Sequence, residues 1–231
     1  MKNINRQEEI FEYIKEKQFA SISEIASYIY TSEATVRREI QKLNEKGLTK
    51  SVYGGVVLTK YANEPVPIYL RDNENSAKKE IIAQKAAKLI KDNCTVIFDS
   101  SSTVRRICRH IKNRKNLTVI TNNLRVCQEL KDSNVCVLCT GGNLVAKREC
   151  FTGPFAEDFI KKVKADMVFF SSQGISKNGD ITDSSIEETS LRKIMLENSK
   201  EKFFLCDSLK FDKDYPFILC NKKTVTKIIC D

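Results

Sequence analysis

Five short polar segments, each placed directly after an apolar run, carry many of the residues whose chemistry suits ligand binding. They span residues 99–103, 121–123, 140–142, 171–174 and 207–210. Their hydroxyl, amide and carboxylate groups can hydrogen-bond a sugar, and the amino group of Lys210 can neutralise an anion. Ligands of open α/β sheets bind at the carboxyl ends of the strands, so the pattern predicts that the five segments converge on one pocket. Asp207 and Lys210 also fit plain turn-capping and surface roles.

The first of these segments, which we call the hydroxyl loop, predicts a seat for a phosphate group. It reads Asp99, Ser100, Ser101, Ser102 and Thr103, and it leads into an expected helix. Hydroxyls and free backbone N–H groups at the start of a helix favour an anion. Capping of that helix by Ser102 or Thr103 explains the same residues equally well. Asp99 can likewise accept hydrogen bonds from sugar hydroxyls or cap a turn.

A second set of residues suits contact with DNA and lies on a predicted helix over residues 33–46. Val36, Ile40 and Leu43 form its apolar stripe and are predicted to pack inward. The outward face combines small, amide and cationic side chains, which suit a major groove. These residues are Ala34, Thr35, Arg37, Arg38, Gln41 and Lys42, preceded by the cap Ser32. A solvated basic helix on a small domain is the alternative to DNA binding.

Two further helices are predicted to position this face. The helical spacing of Ile10, Ile14 and Phe19 predicts a first helix near residues 6–17. Ser21, with Glu24 three residues later, predicts a capping box that opens the second helix. Helix, short turn, helix is the helix-turn-helix arrangement.

A β-hairpin is predicted after the third helix. Alternating apolar residues flank Tyr53, Gly54 and Gly55, and paired glycines suit the turn of a hairpin. A hairpin at this place makes a winged helix, so these three residues join the predicted DNA contacts. Residues 1–58 are therefore predicted to form a winged helix-turn-helix DNA-binding domain. Residues 59–75, which include Pro65 and Pro67, are predicted to be a linker.

The remaining residues, 76–231, are predicted to form a larger α/β domain for effector binding and oligomerisation. Apolar runs alternate there with helical patterns. Strands are expected at 95–98, 117–120, 135–139, 167–170, 203–206 and 225–230, and helices at 104–111, 124–130, 155–163 and 186–198. Strands buried on both faces and joined by helices indicate a mostly parallel sheet.

The amino-terminal segment matches a known signature at residues 32–40, 43, 47–48 and 53–56. On these residues it resembles the DeoR family of bacterial transcription regulators. Glu39 stands where that family usually has Asp, and Tyr53 stands where His is common. The resemblance implies that this segment binds operator DNA.

The larger half resembles the effector domain of the same family, which is similar in fold to ribose-5-phosphate isomerase. The matching residues are 79–90, 97–103, 117–122, 141–142, 153, 174, 179, 182, 187–188, 195 and 207–211. The resemblance implies that a phosphorylated sugar or related metabolite binds at the strand ends and alters operator affinity. Two departures, Ser101 for a usual Gly and Gln173 for a usual carboxylate, leave its identity open. With the strand-end segments, the candidate effector contacts are Asp99, Ser100, Ser101, Ser102, Thr103, Thr121, Asn122, Gly141, Gly142, Gln173, Glu188, Asp207 and Lys210.

Composition and charge exclude several classes of protein. The chain has 231 residues, a formal net charge of +9 and 41% hydrophobic residues, which is enough for a sizeable core. Residues 31–60 hold six Lys or Arg against three Asp or Glu, so the charge that suits DNA is concentrated on the third helix and the wing. No apolar run approaches the ~20 residues of a membrane helix. The charged start does not read as a signal peptide, so we expect a cytoplasmic protein without a membrane partner.

The cysteine pattern indicates structural residues. Most of the nine cysteines lie in apolar runs and are interpreted as small core residues in a reducing compartment. The one C-x-x-C pair, Cys136 and Cys139, falls in an expected buried strand. Because His110 is the single histidine, we expect no metal site, and no motif calls for a cofactor.

Three hypotheses of function follow. The leading one is a non-enzymatic repressor of a sugar-metabolism operon, which binds double-stranded operator DNA as a homodimer or homotetramer and responds to a phosphorylated sugar. The alternative is a sugar-phosphate isomerase or deaminase that uses acid–base carboxylates among Asp99, Glu187, Glu188 and Asp207. The third is a thiol sensor built on Cys136 and Cys139.

Overall fold

The computed structural model describes residues 6–52, 54–58, 71–72 and 75–231 of the chain. The chain divides into two compact units, Met1–Glu74 and Asn75–Asp231. Nearly all of the predicted linker, residues 59–75, lies outside the described residues, and so does Tyr53 of the predicted wing.

Three helices and a small antiparallel sheet make up the described part of the first unit. The helices are α1 (Arg6–Lys17), α2 (Ile22–Tyr28) and α3 (Glu33–Glu45), and the strands are β1 (Phe19–Ala20), β2 (Thr49–Val52) and β3 (Gly55–Leu58). The strand order is β1-β3-β2, so the predicted hairpin is confirmed and gains a third strand. All three helices and β3 contribute to one core, which includes Ile10, Ile14, Ile25, Val36, Ile40, Leu43, Val56 and Leu58.

Local hydrogen bonds define the helix boundaries in this unit. The side chain of Ser21 accepts a hydrogen bond from the N–H of Glu24, and the Glu24 carboxylate accepts one from the N–H of Ser21. The predicted capping box is therefore confirmed. Ser32 caps α3, and Gly47 follows that helix in the left-handed region.

The predicted bounds of the first helix are confirmed, but Phe19, which was counted in its apolar spacing, lies beyond its end. Gln18 has a φ of 62°, which ends α1 at Lys17. Phe19 then pairs with Val57 in the sheet, so its apolar side chain packs from a strand and not from a helix.

A six-stranded parallel sheet is the centre of the second unit, as predicted. Its strands are β4 (Thr95–Phe98), β5 (Thr118–Thr121), β6 (Cys136–Cys139), β9 (Ala165–Phe170), β12 (Ser199–Leu205) and β14 (Lys227–Ile229). The strand order is β14-β12-β9-β4-β5-β6, and every neighbouring pair is parallel. The helices are α4 (Ser76–Ala87), α5 (Ser102–Arg105), α6 (Cys108–Ile111), α7 (Leu124–Leu130), α8 (Pro154–Lys161) and α9 (Ile186–Glu197).

Apolar layers cover both faces of this sheet. Val96 and Phe98 of β4 point into one hydrophobic cluster, and Ile97 between them points into the other. Phe169 and Phe170 of β9 are divided between the clusters in the same way. Burial on both faces explains why the strands read as continuous apolar runs in the sequence.

Short antiparallel strands that the sequence pattern did not predict follow two of the sheet strands. A hairpin of β7 (Asn143–Val145) and β8 (Cys150–Thr152) comes after β6. A second small sheet has the order β10-β11-β13 and consists of β10 (Gly174–Ile175), β11 (Asp180–Asp183) and β13 (Phe217–Asn221). Both additions start just beyond the carboxyl end of a parallel strand.

Two predictions for this unit were wrong. The helix expected over residues 104–111 is split, because α5 ends at Arg105 and α6 begins at Cys108. The strand that holds Cys136 and Cys139 is not buried, because β6 lies at the edge of the sheet and both thiols are exposed.

Within the described residues, no helix is long and apolar enough to cross a membrane. The same part of the chain brings together no three His, Cys, Asp or Glu side chains in a way that suits a metal ion.

Candidate DNA-binding and effector sites

Helix α3 carries the candidate DNA-contacting face. Val36, Ile40 and Leu43 are buried in the core of the first unit, as the apolar stripe predicted. The other side of the helix is accessible to solvent. The exposed or half-exposed residues there are Ser32, Ala34, Thr35, Arg37, Arg38, Gln41 and Lys42. The residues selected from the sequence therefore share one accessible surface.

Ion pairs on α3 leave its cations available to a stronger partner. Arg37 lies 3.3 Å from Glu33, and Lys42 lies 3.0 Å from Glu39. Exposed pairs of this kind are worth about 0.5 kcal/mol or less, so a DNA phosphate can displace the carboxylate. The second oxygen of Glu39 accepts a hydrogen bond from Gln7 of α1 at 2.7 Å, so this residue also ties the two helices together.

Two glycines shape the tip of the wing for different reasons. Gly54 has a φ of 91°, which a residue with a side chain rarely adopts. Gly55 lies against the backbone of Ala20, where a Cβ atom would collide with the carbonyl group. The pair therefore permits both the turn and the close approach of β3 to β1.

Hydrogen bonds connect the carboxyl ends of four neighbouring strands of the parallel sheet. The Thr121 hydroxyl donates to the carbonyl of Phe98 at 2.8 Å, which links β5 to β4. The N–H of Ser171 donates to the Asp99 carboxylate at 3.1 Å, and its hydroxyl donates to the carbonyl of Leu205 at 2.7 Å. These contacts extend the link to β9 and β12. We call this edge, with the polar segments that follow its strands, the strand-end site.

Asp99 is fully buried in the strand-end site, and both of its carboxylate oxygens are occupied. Oδ1 accepts a hydrogen bond from the N–H of Ser101 at 2.9 Å. Oδ2 accepts one from the N–H of Ser171 and one from Nε of Arg192 at 2.9 Å. Since neither oxygen faces solvent, Asp99 holds the hydroxyl loop in place and does not present itself to a sugar.

Arg192, which no sequence motif singles out, is the centre of a buried charge network. Its guanidinium donates to Asp99, to Asp183 at 2.7 Å and to Glu188 at 2.8 Å. Burial opposes the charge on Arg192, but Asp183, Glu188 and Asp99 raise its pKa above the ordinary value, so it stays positive. Arg148 lies 2.9 Å from the other oxygen of Glu188. The network fixes α9 and the end of β11 against the hydroxyl loop.

The hydroxyl loop contains a helix cap and an unpartnered hydroxyl. Ser101, and not Ser102 or Thr103, caps α5, because its side chain accepts a hydrogen bond from the N–H of Val104 at 3.2 Å. Ser102 and Thr103 are the first buried residues of that helix. The Ser100 hydroxyl is also buried, and it makes no hydrogen bond within the described residues. This hydroxyl therefore has hydrogen-bonding capacity to offer a polar ligand.

Asn122 and two glycines border the strand-end site from the side of β5 and β6. Nδ2 of Asn122 donates to the carbonyl of Phe151 at 2.9 Å, while its buried Oδ1 has no partner in the described part of the chain. Gly141 and Gly142 have φ values of +64° and +107°. A Cβ atom at Gly142 would lie 2.7 Å from the carbonyl oxygen of Thr152, so only glycine fits there.

Lys210, Asp207 and Gln173 complete the candidate set. Lys210 is buried and not a surface lysine. Its ammonium group donates to the Ser171 hydroxyl at 2.9 Å and lies 4.0 Å from Asp207. Asp207 also accepts a hydrogen bond from a backbone N–H two residues later, which is a turn-capping contact. Gln173 is half-buried and donates to the hydroxyl of Ser184 at 2.8 Å.

The first unit is a winged helix-turn-helix, and the second is an α/β unit with a buried polar site at its strand ends. This combination defines a class of ligand-responsive DNA-binding proteins. Residues 6–61 match the DeoR-like helix-turn-helix domain, and residues 74–231 match the DeoR C terminal sensor domain. The chain therefore belongs to the DeoR family of transcriptional regulators. Because this is a family of regulators and not of enzymes, the isomerase or deaminase alternative is not supported.

Relatives cover nearly the whole chain. The L-fucose operon activator of Haemophilus influenzae is 33% identical over 227 residues, which are 98% of this chain and 91% of that protein. The lactose phosphotransferase system repressor of Staphylococcus aureus is 28% identical over 235 aligned residues, covering 100% and 93% respectively. A solved structure, ribose 5-phosphate isomerase A from Methanocaldococcus jannaschii, covers 60% of this chain and 55% of that chain, with 16% identity and a TM-score of 0.45.

Proposed function

We propose that this regulator represses a sugar-metabolism operon and that a phosphorylated sugar bound in the strand-end site changes its affinity for operator DNA. The observation that carries the proposal is the presence of two separate candidate sites in one DeoR-family chain. One is the accessible cationic face of α3. The other is a buried polar edge where Ser100 and Asn122 have unpartnered oxygen atoms within the described residues. The names of the two relatives above, which refer to fucose and lactose, support a sugar-derived effector.

DNA contact is assigned to α3 and the wing. Cationic side chains of α3 reach phosphates and guanine edges, and its small and amide side chains read neighbouring bases. The wing reaches the backbone or the minor groove. The assigned residues are Ser32, Ala34, Thr35, Arg37, Arg38, Gln41 and Lys42 of the helix and Tyr53, Gly54 and Gly55 of the wing.

Effector contact is assigned to the groups of the strand-end site that can still donate or accept a hydrogen bond. The phosphate lies on the hydroxyl loop, against Ser100 and the first turn of α5, and Lys210 supplies positive charge nearby. The Oδ1 atom of Asn122 accepts from a sugar hydroxyl. The remaining direct contacts are Ser101, Ser102, Thr103, Thr121, Gly141, Gly142 and Gln173. Asp99, Glu188 and Asp207 position these groups, because their carboxylates are already engaged by protein donors.

A homodimer or homotetramer is part of the proposal. One winged helix buries little DNA surface, so tight and specific binding requires two copies on paired half-sites. Binding of operator DNA also implies a cytoplasmic location.

The DNA assignment is tested by Arg38→Ala, with Lys15→Ala as the matched control. Both changes remove one exposed cation, but Lys15 lies on α1, where its amino group pairs with Glu12. Binding sites are first selected from a random pool of duplexes with the full chain, and affinity is then measured across salt concentrations. Arg38→Ala should weaken binding at least about tenfold and reduce the salt slope by about 1. Equal affinity of the two variants would remove Arg38 from the contact set.

The effector assignment is tested by Ser100→Ala. The Ser100 hydroxyl has no partner within the described residues, so its loss costs the folded protein no hydrogen bond. Melting of the full chain is followed with aldose and ketose phosphates, free sugars and inorganic phosphate. A sugar phosphate that stabilises the wild type should bind Ser100→Ala about tenfold more weakly, because one hydrogen bond is lost. Ser133→Ala, which removes a hydroxyl bonded to the Leu130 carbonyl before β6, should bind normally.

Two results would contradict the proposal. One is a panel in which no sugar phosphate raises the melting temperature of the wild type. The other is a sugar phosphate that binds but leaves the affinity for the selected DNA unchanged.

A further inference from the structure

Three large apolar side chains are exposed at one edge of the second unit. Phe155, at the start of α8, is 80% exposed, Leu144 of β7 is 52% exposed and Leu138 of β6 is 40% exposed. Phe159, one turn after Phe155, is half-exposed. Large apolar groups that gather at one place on a surface usually mark an interaction site. We call these four residues the apolar edge.

The register of the parallel sheet places Leu138 beside α8. Leu138 of β6 pairs with Ile120 of β5, and Ile120 packs in one hydrophobic cluster with Ala156 and Ile160 of α8. Paired residues of neighbouring strands point to the same face of a sheet. Leu138 therefore lies on the face that α8 covers.

The start of β7 lies against the start of the same helix. A Cβ atom at Gly153 would lie 3.0 Å from Nδ2 of Asn143. Leu144 directly follows Asn143, and Phe155 lies two residues after Gly153. The exposed side chains of β6, β7 and α8 are therefore neighbours in the fold, although the chain separates them.

Strand β6 lacks the usual protection of an exposed edge. It is the last strand of the parallel sheet, so one of its sides has no strand next to it within the described residues. Its four residues, Cys136–Cys139, include no charged side chain. Edge strands of monomeric proteins commonly carry charges or proline, which prevent contact with another chain. The composition of β6 instead suits a surface that another chain covers.

The charges of α8 favour a second copy of the same chain as the partner. Glu157 and Asp158 lie in the amino half of this helix, and Lys161 and Lys162 lie at its carboxyl end. A two-fold axis across the helix sets two copies of α8 antiparallel, so the acidic half of each faces the basic end of the other. The opposed helix dipoles add to this attraction. A partner of a single charge sign would match only half of the helix.

The charges on the exposed side of α8 are available to such a partner. Asp158 pairs with Lys161 at 3.1 Å, but both side chains are more than half exposed, so the pair is weak. Lys162 is also exposed, and it makes no ion pair within the described residues. An ion pair between Asp158 of one copy and Lys162 of the other therefore breaks no strong contact.

We propose that the apolar edge and α8 form the interface between two copies of this chain related by two-fold symmetry. Phe155 and Phe159 are at its centre, the rest of the apolar edge packs around them, and Asp158 of each copy pairs with Lys162 of the other. Buried aromatic residues contribute most of the binding energy in such interfaces. The inference rests on the proposed function for the need of two copies on paired half-sites, and it adds the surface that joins them.

This interface lies next to the strand-end site. Nδ2 of Asn122 donates to the carbonyl of Phe151 in β8, and β8 leads through Gly153 into α8. A Cβ atom at Gly142 would lie 3.3 Å from the Cβ of Ala156 in the first turn of α8. An effector held by Asn122 and Gly142 is therefore one contact away from the helix that joins the two copies.

The test measures the mass of the full chain by sedimentation over a range of protein concentrations, without DNA or sugar phosphate. The wild type should form a dimer, and Phe155→Ser should raise the dissociation constant of that dimer at least about tenfold, because an aromatic side chain is lost from the centre of the interface. Ile218→Ser is the matched control. Ile218 is 55% exposed and belongs to a different sheet, so this variant should dimerise as the wild type does.

A charge exchange tests the orientation of the two helices. Asp158→Lys and Lys162→Asp should each weaken the dimer by about tenfold, because each places like charges opposite each other across the interface. The double variant restores both pairs and should recover most of the lost affinity. All of these side chains are exposed, so far-UV circular dichroism should show that every variant remains folded.

Three outcomes would overturn the proposal. A wild type that stays monomeric at every concentration would assign the apolar edge to a different protein. Equal effects of Phe155→Ser and Ile218→Ser would place the interface elsewhere, and a double variant as weak as the single ones would exclude the antiparallel helix pair.

The same measurements separate this inference from the proposed function. A dimer that responds to these substitutions but binds no selected DNA contradicts the proposed function alone. A dimer that binds DNA and a sugar phosphate but is unaffected by Phe155→Ser contradicts only the interface.

Discussion

Replacement of Arg192 with methionine tests the buried charge network most directly. Arg192 is 3% exposed, and its guanidinium donates to Asp99, Asp183 and Glu188 at 2.7 to 2.9 Å. Methionine occupies a similar volume but leaves three buried carboxylates without their common cation. Loss of one partner from a buried ion pair costs about 3–5 kcal/mol, because an uncompensated charge remains in the interior.

Although three carboxylates lose Arg192, the loss of stability should stay within the range for one broken pair, because each carboxylate keeps other partners. Asp99 keeps two backbone N–H donors, Asp183 keeps those of Ser184 and Ser185, and Glu188 keeps Arg148. For a unit of this size each kcal/mol lowers the melting temperature by about 2–4 °C, so the transition should fall by about 6–20 °C. Calorimetry of the full chain measures the shift.

A second readout separates charge from packing. Arg192 orients Asp99, whose oxygens receive the N–H groups of Ser101 and Ser171, so hydrogen exchange at these two amides should accelerate in Arg192→Met. Arg192→Lys keeps the charge but lacks the planar fork that reaches three carboxylates, so it should recover only part of the stability. Full recovery by lysine, or a melting shift without faster exchange at Ser101 and Ser171, would refute the reasoning.

Three further predictions concern single contacts, each measured by denaturant unfolding of the full chain. Ser21→Ala removes the acceptor of the α2 capping box and should lower the free energy of unfolding by about 1 kcal/mol. A loss below about 0.3 kcal/mol would show that the cap does not stabilise the helix. Gly142→Ala should lower the free energy of unfolding by about 3 kcal/mol, because a side chain there must adopt a φ of +107° and also clashes with a carbonyl of β8. Gly141→Ala has open space around it and should lower that free energy by about 1 kcal/mol. Equal losses in the two variants would exclude the clash. Arg125 lowers the pKa of Glu149 from 4.5, so this half-exposed pair stabilises the protein above that value and loses its effect as pH falls through the folded pKa. Arg125→Met should therefore lower the free energy of unfolding by less than about 1 kcal/mol at neutral pH. In acid, the stability of the variant should converge with that of the wild type.

Local sequence patterns were sufficient to predict the helices and strands whose formation depends on neighbouring residues. The capping residues Ser21 and Ser32 and the apolar stripe of α3 predicted the helices, because caps and stripes are set by residues within one or two turns. The apolar runs of β4 and β9 predicted buried parallel strands for a similar reason. The edge position of β6 was missed, because the run before Cys139 is as apolar as a central strand. Strand order depends on long-range packing, which no window of sequence contains.

The charge network was missed for a related reason. Glu188 and Arg192 are four residues apart on α9, a spacing that ordinarily indicates a pair on a solvated helix surface. Asp99 is 93 residues away from Arg192 in the chain and Asp183 is nine away, so only the fold brings all four together. Polar residues on a helix that packs under the hydroxyl loop look the same in sequence as polar residues that face water.

The carboxylates of the strand-end site are poorly placed for acid–base chemistry. A general base needs an oxygen that is free to take a proton from a bound substrate. Asp99 has no such oxygen, since two N–H groups and Arg192 occupy both. Glu188 is held between Arg192 and Arg148, and Asp207 caps a turn. Three of the four candidate carboxylates therefore hold loops in position, and the fourth, Glu187, is exposed and accepts a hydrogen bond from the Ser185 hydroxyl. This arrangement fits the proposed role of the site, which is to bind a ligand without converting it.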